Sequence, residues 1–294
     1  MPTPTHSLRG HAAMLLFSVL VGGSFSLGSI AAPMIAPAAL NAMRFLIASG
    51  IIGALVFLGP GIRRADLKAP WRYALLGGLF AIYFVLMFEG LKTAPAVSAS
   101  AVFTLTPVMS AAFGWLLLRQ ITTPRMALAL TLAALGAVWV IFRADIAAIM
   151  AFNIGSGEII FFVGCVAHAL YTPLVRKLNR GEPTLVFTFG MLIAGLLILS
   201  IYGARDIIAT PWSTLPPIVW ITIFYTGIFA SAATFFLLQY ATLHLPSAKV
   251  MAYTYLVPAW VILWEYTMGN GFVAPLVLAG IALVVTALLM LLKD

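Results

Sequence analysis

Stretches of about 20 apolar residues recur along this chain, separated only by short polar breaks. That is the length an α-helix needs to cross a hydrocarbon core of roughly 30 Å at about 1.5 Å per residue. The runs are continuously apolar, whereas a membrane β-strand alternates polar and apolar residues over about ten positions, so helices are expected and a barrel is not. Charged residues make up 8% of the chain, against about a quarter in a soluble protein. A water-soluble globule is therefore excluded. The net charge of +8 sits in the loops between runs, which speaks for orientation in a bilayer and against nucleic-acid binding. Cys165 is the sole cysteine and lies inside an apolar run, so neither a disulfide framework nor a thiolate metal site is expected.

Ten spans are read from the sequence, at residues 11–31, 38–58, 71–92, 95–118, 124–142, 157–175, 183–202, 215–241, 246–268 and 272–292. The first run is longer than a signal-peptide core and residues 15–26 have a counterpart at 159–170, so it is read as a span and not as a cleaved leader. The stretch from Phe88 to Arg119 is written a second time from Leu238 to Asn270. Pro95, Pro107 and Pro124 are answered by Pro246, Pro258 and Pro275 at one constant offset, which is the mark of a duplication. The expected units are residues 1–145 and 146–294, five spans each. An odd number of spans turns the second unit upside down in the membrane, giving an inverted repeat of the kind that builds alternating access around a site at the repeat interface.

Lysines and arginines fix the expected orientation. Arg9, Arg63, Arg64, Lys68, Arg72, Arg119, Arg125, Arg176, Lys177, Arg180, Lys249 and Lys293 lie on one side, against Lys92, Arg143 and Arg205 on the other. Both termini are thus expected in the cytoplasm.

The run ALNAMRFLIA around Arg44, the proline-centred fourth-helix patterns at Pro107 and Pro258, and Gly136 and Gly280 in the closing helices carry a family resemblance over nearly the whole chain. The sequence resembles the drug/metabolite transporter superfamily in its ten-helix form of two EamA-type repeats, and within it the bacterial exporters of aromatic and other amino acids. The resemblance implies an all-α, basket-like bundle in the inner membrane. Its central cavity would be lined by helices 1, 3, 4, 6, 8 and 9, with the fifth and tenth peripheral. The Gly-Glu pair that commonly ends the family's fourth helix is replaced by Arg119-Gln120 and Asn270-Gly271, so no role passes to that glutamate.

Ionisable groups inside spans ask for a partner or a wet cavity. Arg44 and Glu89 are read at similar depth toward the outer face, as an ion pair, structural or gating, or as two side chains that snorkel separately to the interface. His168, at mid-depth, is a candidate to line the cavity, to bond a substrate carboxylate or to titrate during transport, with cavity lining the preferred reading. Pro107 and Pro258 each free a carbonyl one turn upstream, making either a flexible joint beside the substrate or a static kink. Phe80, Tyr83 and Met87 share one face of span three, and Tyr253 and Trp260 one of span nine. Ser98, Thr104 and Tyr171 complete the candidate cavity, and such stripes face either lipid or ligand. No Walker A loop, dinucleotide fingerprint or clustered catalytic group occurs, and no cofactor, metal, nucleic acid or obligate protein partner is expected. The reading is a secondary transporter exporting aromatic and other neutral amino acids. The alternatives are a multidrug exporter of organic cations and, more remotely, a membrane-embedded enzyme.

Overall fold

The computed structural model describes residues 4–151 and 154–292, with the side chains of 4–7 and 292 left aside. Lys293 lies outside the described residues. Every regular element among them is helical. Spans one to three are unbroken helices, Pro4–Ala31, Pro37–Leu58 and Trp71–Gly90. Span four is two helices, Ala96–Phe103 and Thr106–Leu118, and span five is Pro124–Ile141. A short helix, Ile146–Met150, lies in the connection between the units. Spans six and seven are Ser156–Leu178 and Thr184–Tyr202, and the small helices Ala204–Ala209 and Trp212–Thr214 follow. Span eight runs Pro217–Gly227, passes through a π-helical turn, Ile228–Ala233, and continues as Thr234–His244. Span nine is Ser247–Ala252, a 3₁₀ turn Tyr253–Leu256 and Val257–Thr267, and span ten is Pro275–Leu292.

Eight of these, among the described residues, are long and apolar enough to cross a membrane, span four being counted across its break and span eight across its π turn. Span nine, divided by its 3₁₀ turn, is not among the eight, and span ten is a shorter apolar helix over Pro275–Leu291. Prolines open many of the helices, where the missing N–H costs nothing: Pro37, Pro107, Pro124, Pro217 and Pro258 all sit in a first turn.

The packing obeys a two-fold exchange of the halves. Span three packs on span six, and span one on span eight in the same way. Span four on span six is matched by span nine on span one, while spans two and seven, and five and ten, pair with each other. Lipid offers no hydrophobic drive for helix association, so these contacts depend on close fit. At the crossing of spans five and ten a Cβ on Gly136 would stand 2.7 Å from the Gly280 carbonyl, and one on Gly280 2.8 Å from that of Gly136. Ala129, Ala133 and Ala287 extend that seam.

Both fourth-helix equivalents break where their prolines fall. Pro107 cannot donate to the Phe103 carbonyl one turn back, and the Thr106 hydroxyl donates to it instead at 2.7 Å. Thr104 donates in the same way to the Ala101 carbonyl at 2.6 Å. The two breaks face each other across the repeat interface, with Thr106 Oγ1 3.3 Å from Thr254 Oγ1.

Candidate functional site

The bundle axis is closed by rings. Phe80 of span three stacks on Phe235 of span eight at 4.4 Å and 8°, and lies 4.0 Å from Tyr171 of span six. His168 of span six is enclosed by Tyr83 at 4.5 Å, Phe103 at 5.1 Å and Phe80 at 5.3 Å. What remains open is a central void of about 10 Å³, the room of one water at most. Ligand pockets begin at roughly 300 Å³, so the packed rings leave no room here for a ligand of that size. The void is lined from both repeats: Phe17, Val21 and Ser24 of span one, Arg44 of span two, Phe80, Tyr83, Phe84 and Met87 of span three, Phe103, His168, and Ala230, Thr234 and Phe235 of span eight.

Arg44 is 1% exposed and is the only ionised side chain of fixed charge on the void. Its Nε donates to the Ser231 hydroxyl and its Nη2 to the Ala230 carbonyl, both in the π-helical turn of span eight. The Phe84 ring lies 3.6 Å from its Cζ, a cation–π contact in a desolvated setting. The third nitrogen, Nη1, has no hydrogen-bond partner, and neither has Ser24 Oγ or His168 Nδ1. Three residues of one void thus each carry an unpartnered buried polar atom. Each costs free energy unless water or a ligand meets it.

The sequence-derived site is divided by the fold. Phe80, Tyr83, Met87 and His168 line the void, and Tyr171 lies one ring behind them, its hydroxyl donating to Met191 Sδ at 3.1 Å and accepting from Gln239 at 2.9 Å. Thr104 lies off the void and is spent on its own backbone. Ser98 donates at 2.8 Å to Glu158, whose carboxylate lines a separate polar cleft beside Arg143 and Asp145. Tyr253 bonds His11 at 3.0 Å and Trp260 donates to Ser18 at 3.2 Å, so both belong to the contact between spans nine and one. The Arg44–Glu89 pair does not form. Glu89 is 43% exposed and binds Lys92 one turn on, at 2.7 Å, where each keeps access to water, while Arg44 points inward to neutral acceptors. Sequence reasoning missed Ser24, Phe84, Phe103, Ser231, Thr234 and Phe235. The small-residue run Ala230–Ala233 between Gly227 and Phe235 was the available signal, since such a run lets a neighbouring backbone or a large side chain come close.

On the side carrying most of the basic loops, Arg72 is fully buried and donates to the carbonyls of Lys68, Ala69 and Leu178 and to the Glu182 carboxylate at 2.6 Å. Burial pushes the Glu182 carboxyl up, but the bonds from Arg72 and the Arg180 N–H outweigh it and hold it below its ordinary value. Asp66 is lowered as well, chiefly by the Arg63 guanidinium at 3.0 Å.

An all-helical, multi-pass bundle of two inverted halves is the architecture of a membrane protein, and the family match gives its class. The chain belongs to the EamA-like transporter family, whose model matches twice, over residues 8–142 and 155–293. It is 26% identical over 269 residues to the Bacillus subtilis (strain 168) protein named uncharacterized transporter YyaM, covering 90% of this chain and 87% of that one. An uncharacterized transporter of Archaeoglobus fulgidus is 24% identical over 261 residues, covering 88% of each. A solved crystal structure shares the fold with a TM-score of 0.72 at 20% identity, covering 99% of this chain and 98% of its own. Family and relatives indicate a transporter and not an enzyme.

Proposed function

We propose that the protein is a secondary transporter that exports small zwitterions, aromatic and other neutral amino acids foremost, by alternating access across the bacterial inner membrane. Both termini lie in the cytoplasm in this reading, which rests on the uneven spread of basic loop residues. The observation that carries the substrate class is the company of the central void: aromatic rings all round, one guanidinium with a free nitrogen, and no carboxylate. A carboxylate end meets Arg44, and a ring or aliphatic body replaces the ring contacts that now close the axis. The ammonium is served by ring faces.

An organic cation is poorly matched to such a site. Its natural counter-charge would be Glu89, which is turned to the surface against Lys92. A highly phosphorylated solute would ask for several convergent cations, and the void has Arg44 alone. The test is efflux from cells loaded with phenylalanine, tryptophan, threonine or a quaternary ammonium dye. The reading expects faster amino-acid efflux from cells carrying the protein, with dye efflux at background. Dye efflux without amino-acid efflux would overturn it.

A further inference from the structure

We propose that the π-helical turn Ile228–Ala233 is the mount of a carboxylate receptor, and that Ser231 is a positioning residue for transport. The inference rests on the reading above that the substrate carries a carboxylate, and adds how the fold aims the group that receives it.

A guanidinium on a flexible stem has three nitrogens to place. Here two are fixed. The Nε bond to Ser231 Oγ sets the plane of the group, and the Nη2 bond to the Ala230 carbonyl sets its rotation within that plane. Phe84 covers one face at 3.6 Å. The one nitrogen left without a partner is Nη1, on a residue that lines the central void. In a regular α-helix the Ala230 carbonyl would be aimed along the axis at the N–H four residues on. The wider π turn lets it meet Arg44 of span two, and such turns are rare overall and frequent at functional sites. The arrangement explains why an arginine is spent on two neutral acceptors in a buried place, where an acid would satisfy it better: an acid would also cancel the charge that the substrate needs.

The void as it stands holds one water at most, so both oxygens of a carboxylate are seated only when the rings part. One meets Arg44 Nη1, and the other comes near Ser24 and His168, residues of the same void whose Oγ and Nδ1 have no partners. Arg44 is on span two and its mount on span eight, so a bound carboxylate is tied to both repeats at once.

The test uses the full chain in liposomes, with labelled phenylalanine as substrate and phenethylamine, which lacks the carboxylate, as competitor. Ser231→Ala frees the Nε and is expected to raise the half-saturation concentration for phenylalanine about tenfold, the scale of one charge-assisted hydrogen bond. The maximal rate should stay within about twofold, Ser231→Thr should restore the affinity, and inhibition by phenethylamine should not change. An unchanged half-saturation for phenylalanine, or an equal loss for both compounds, overturns the inference while leaving the transport reading intact. If the wild-type protein does not carry phenylalanine, the transport reading fails instead. The mount is then judged by amide hydrogen exchange over residues 228–234: Arg44→Leu should speed exchange there, and unchanged protection would overturn it.

Discussion

A guanidinium taken out of water costs several kcal/mol unless its donors are met, so the partners a buried arginine accepts reveal what it is kept for. Arg44 takes a hydroxyl and a carbonyl and leaves one nitrogen open, which supports the proposed receptor role. Glu89 plays no part in this. Glu89→Gln is therefore expected to leave transport within about twofold of wild type, and to add to Arg44→Gln within about 0.5 kcal/mol in a double-mutant cycle. A larger coupling would mean that the two residues meet during the cycle. Arg44 was legible in the sequence as a deep charge, but its partners were not. A charge in an apolar run suggests an acid, and nothing in a list of residues marks a serine and a carbonyl on a distant span as its acceptors. The opposite case is Arg72, which reads as a loop cation and proves to be buried against Glu182. Removing either partner strands the other, so Arg72→Ala should cost about 3–5 kcal/mol of stability. The sign of the pH effect follows from the depressed Glu182 carboxyl: its stabilisation is complete above the ordinary value of 4.5 and is lost as the pH falls through the lower folded-state value. Unfolding temperatures of wild type and Glu182→Gln should converge in acid, and a constant difference across that window would contradict the assignment.

At the scale of elements, what was readable is what covalent chemistry dictates locally. The prolines at 107 and 258 had to break their helices, and the rods of spans four and nine are broken there. The π turn of span eight was not readable, because one extra residue per turn leaves no periodic signature in an apolar run. Nor was it readable which aromatic stripe faces inward. The stripe of span three reaches the void, while that of span nine packs on span one, a difference set by helix rotation that a uniformly apolar surround does not encode. The closing spans give a direct test of packing. Gly136→Leu would drive a side chain into the Gly280 carbonyl, and is expected to lower stability by at least about 1–3 kcal/mol in detergent. Leu135→Ala, one residue away on a side chain 59% exposed to lipid, should be close to neutral. Equal effects of the two would show that the glycine crossing is not tight.

For the molecule as a whole, duplication carried the architecture: matched prolines gave two units, and five spans per unit gave their inversion. The closed axis was beyond sequence, since a cavity emptied or filled by ring rotation has the same residues in both states. In the proposed mode of binding, the substrate's body takes the place of the ring contacts among Phe80, Phe235, Tyr83 and His168, which join the two repeats, and parting them carries occupancy to the whole bundle. The account turns on a carboxylate received by Arg44 at the centre of both repeats. Equilibrium binding of labelled phenylalanine to the purified protein tests this most directly, with Arg44→Leu and Glu89→Gln measured alongside and the fold of each checked by its unfolding temperature. The account predicts saturable binding to wild type and to Glu89→Gln, and a loss of about 10- to 100-fold in Arg44→Leu, the worth of a hydrogen bond to a charged group. Equal binding by a folded Arg44→Leu protein would contradict it.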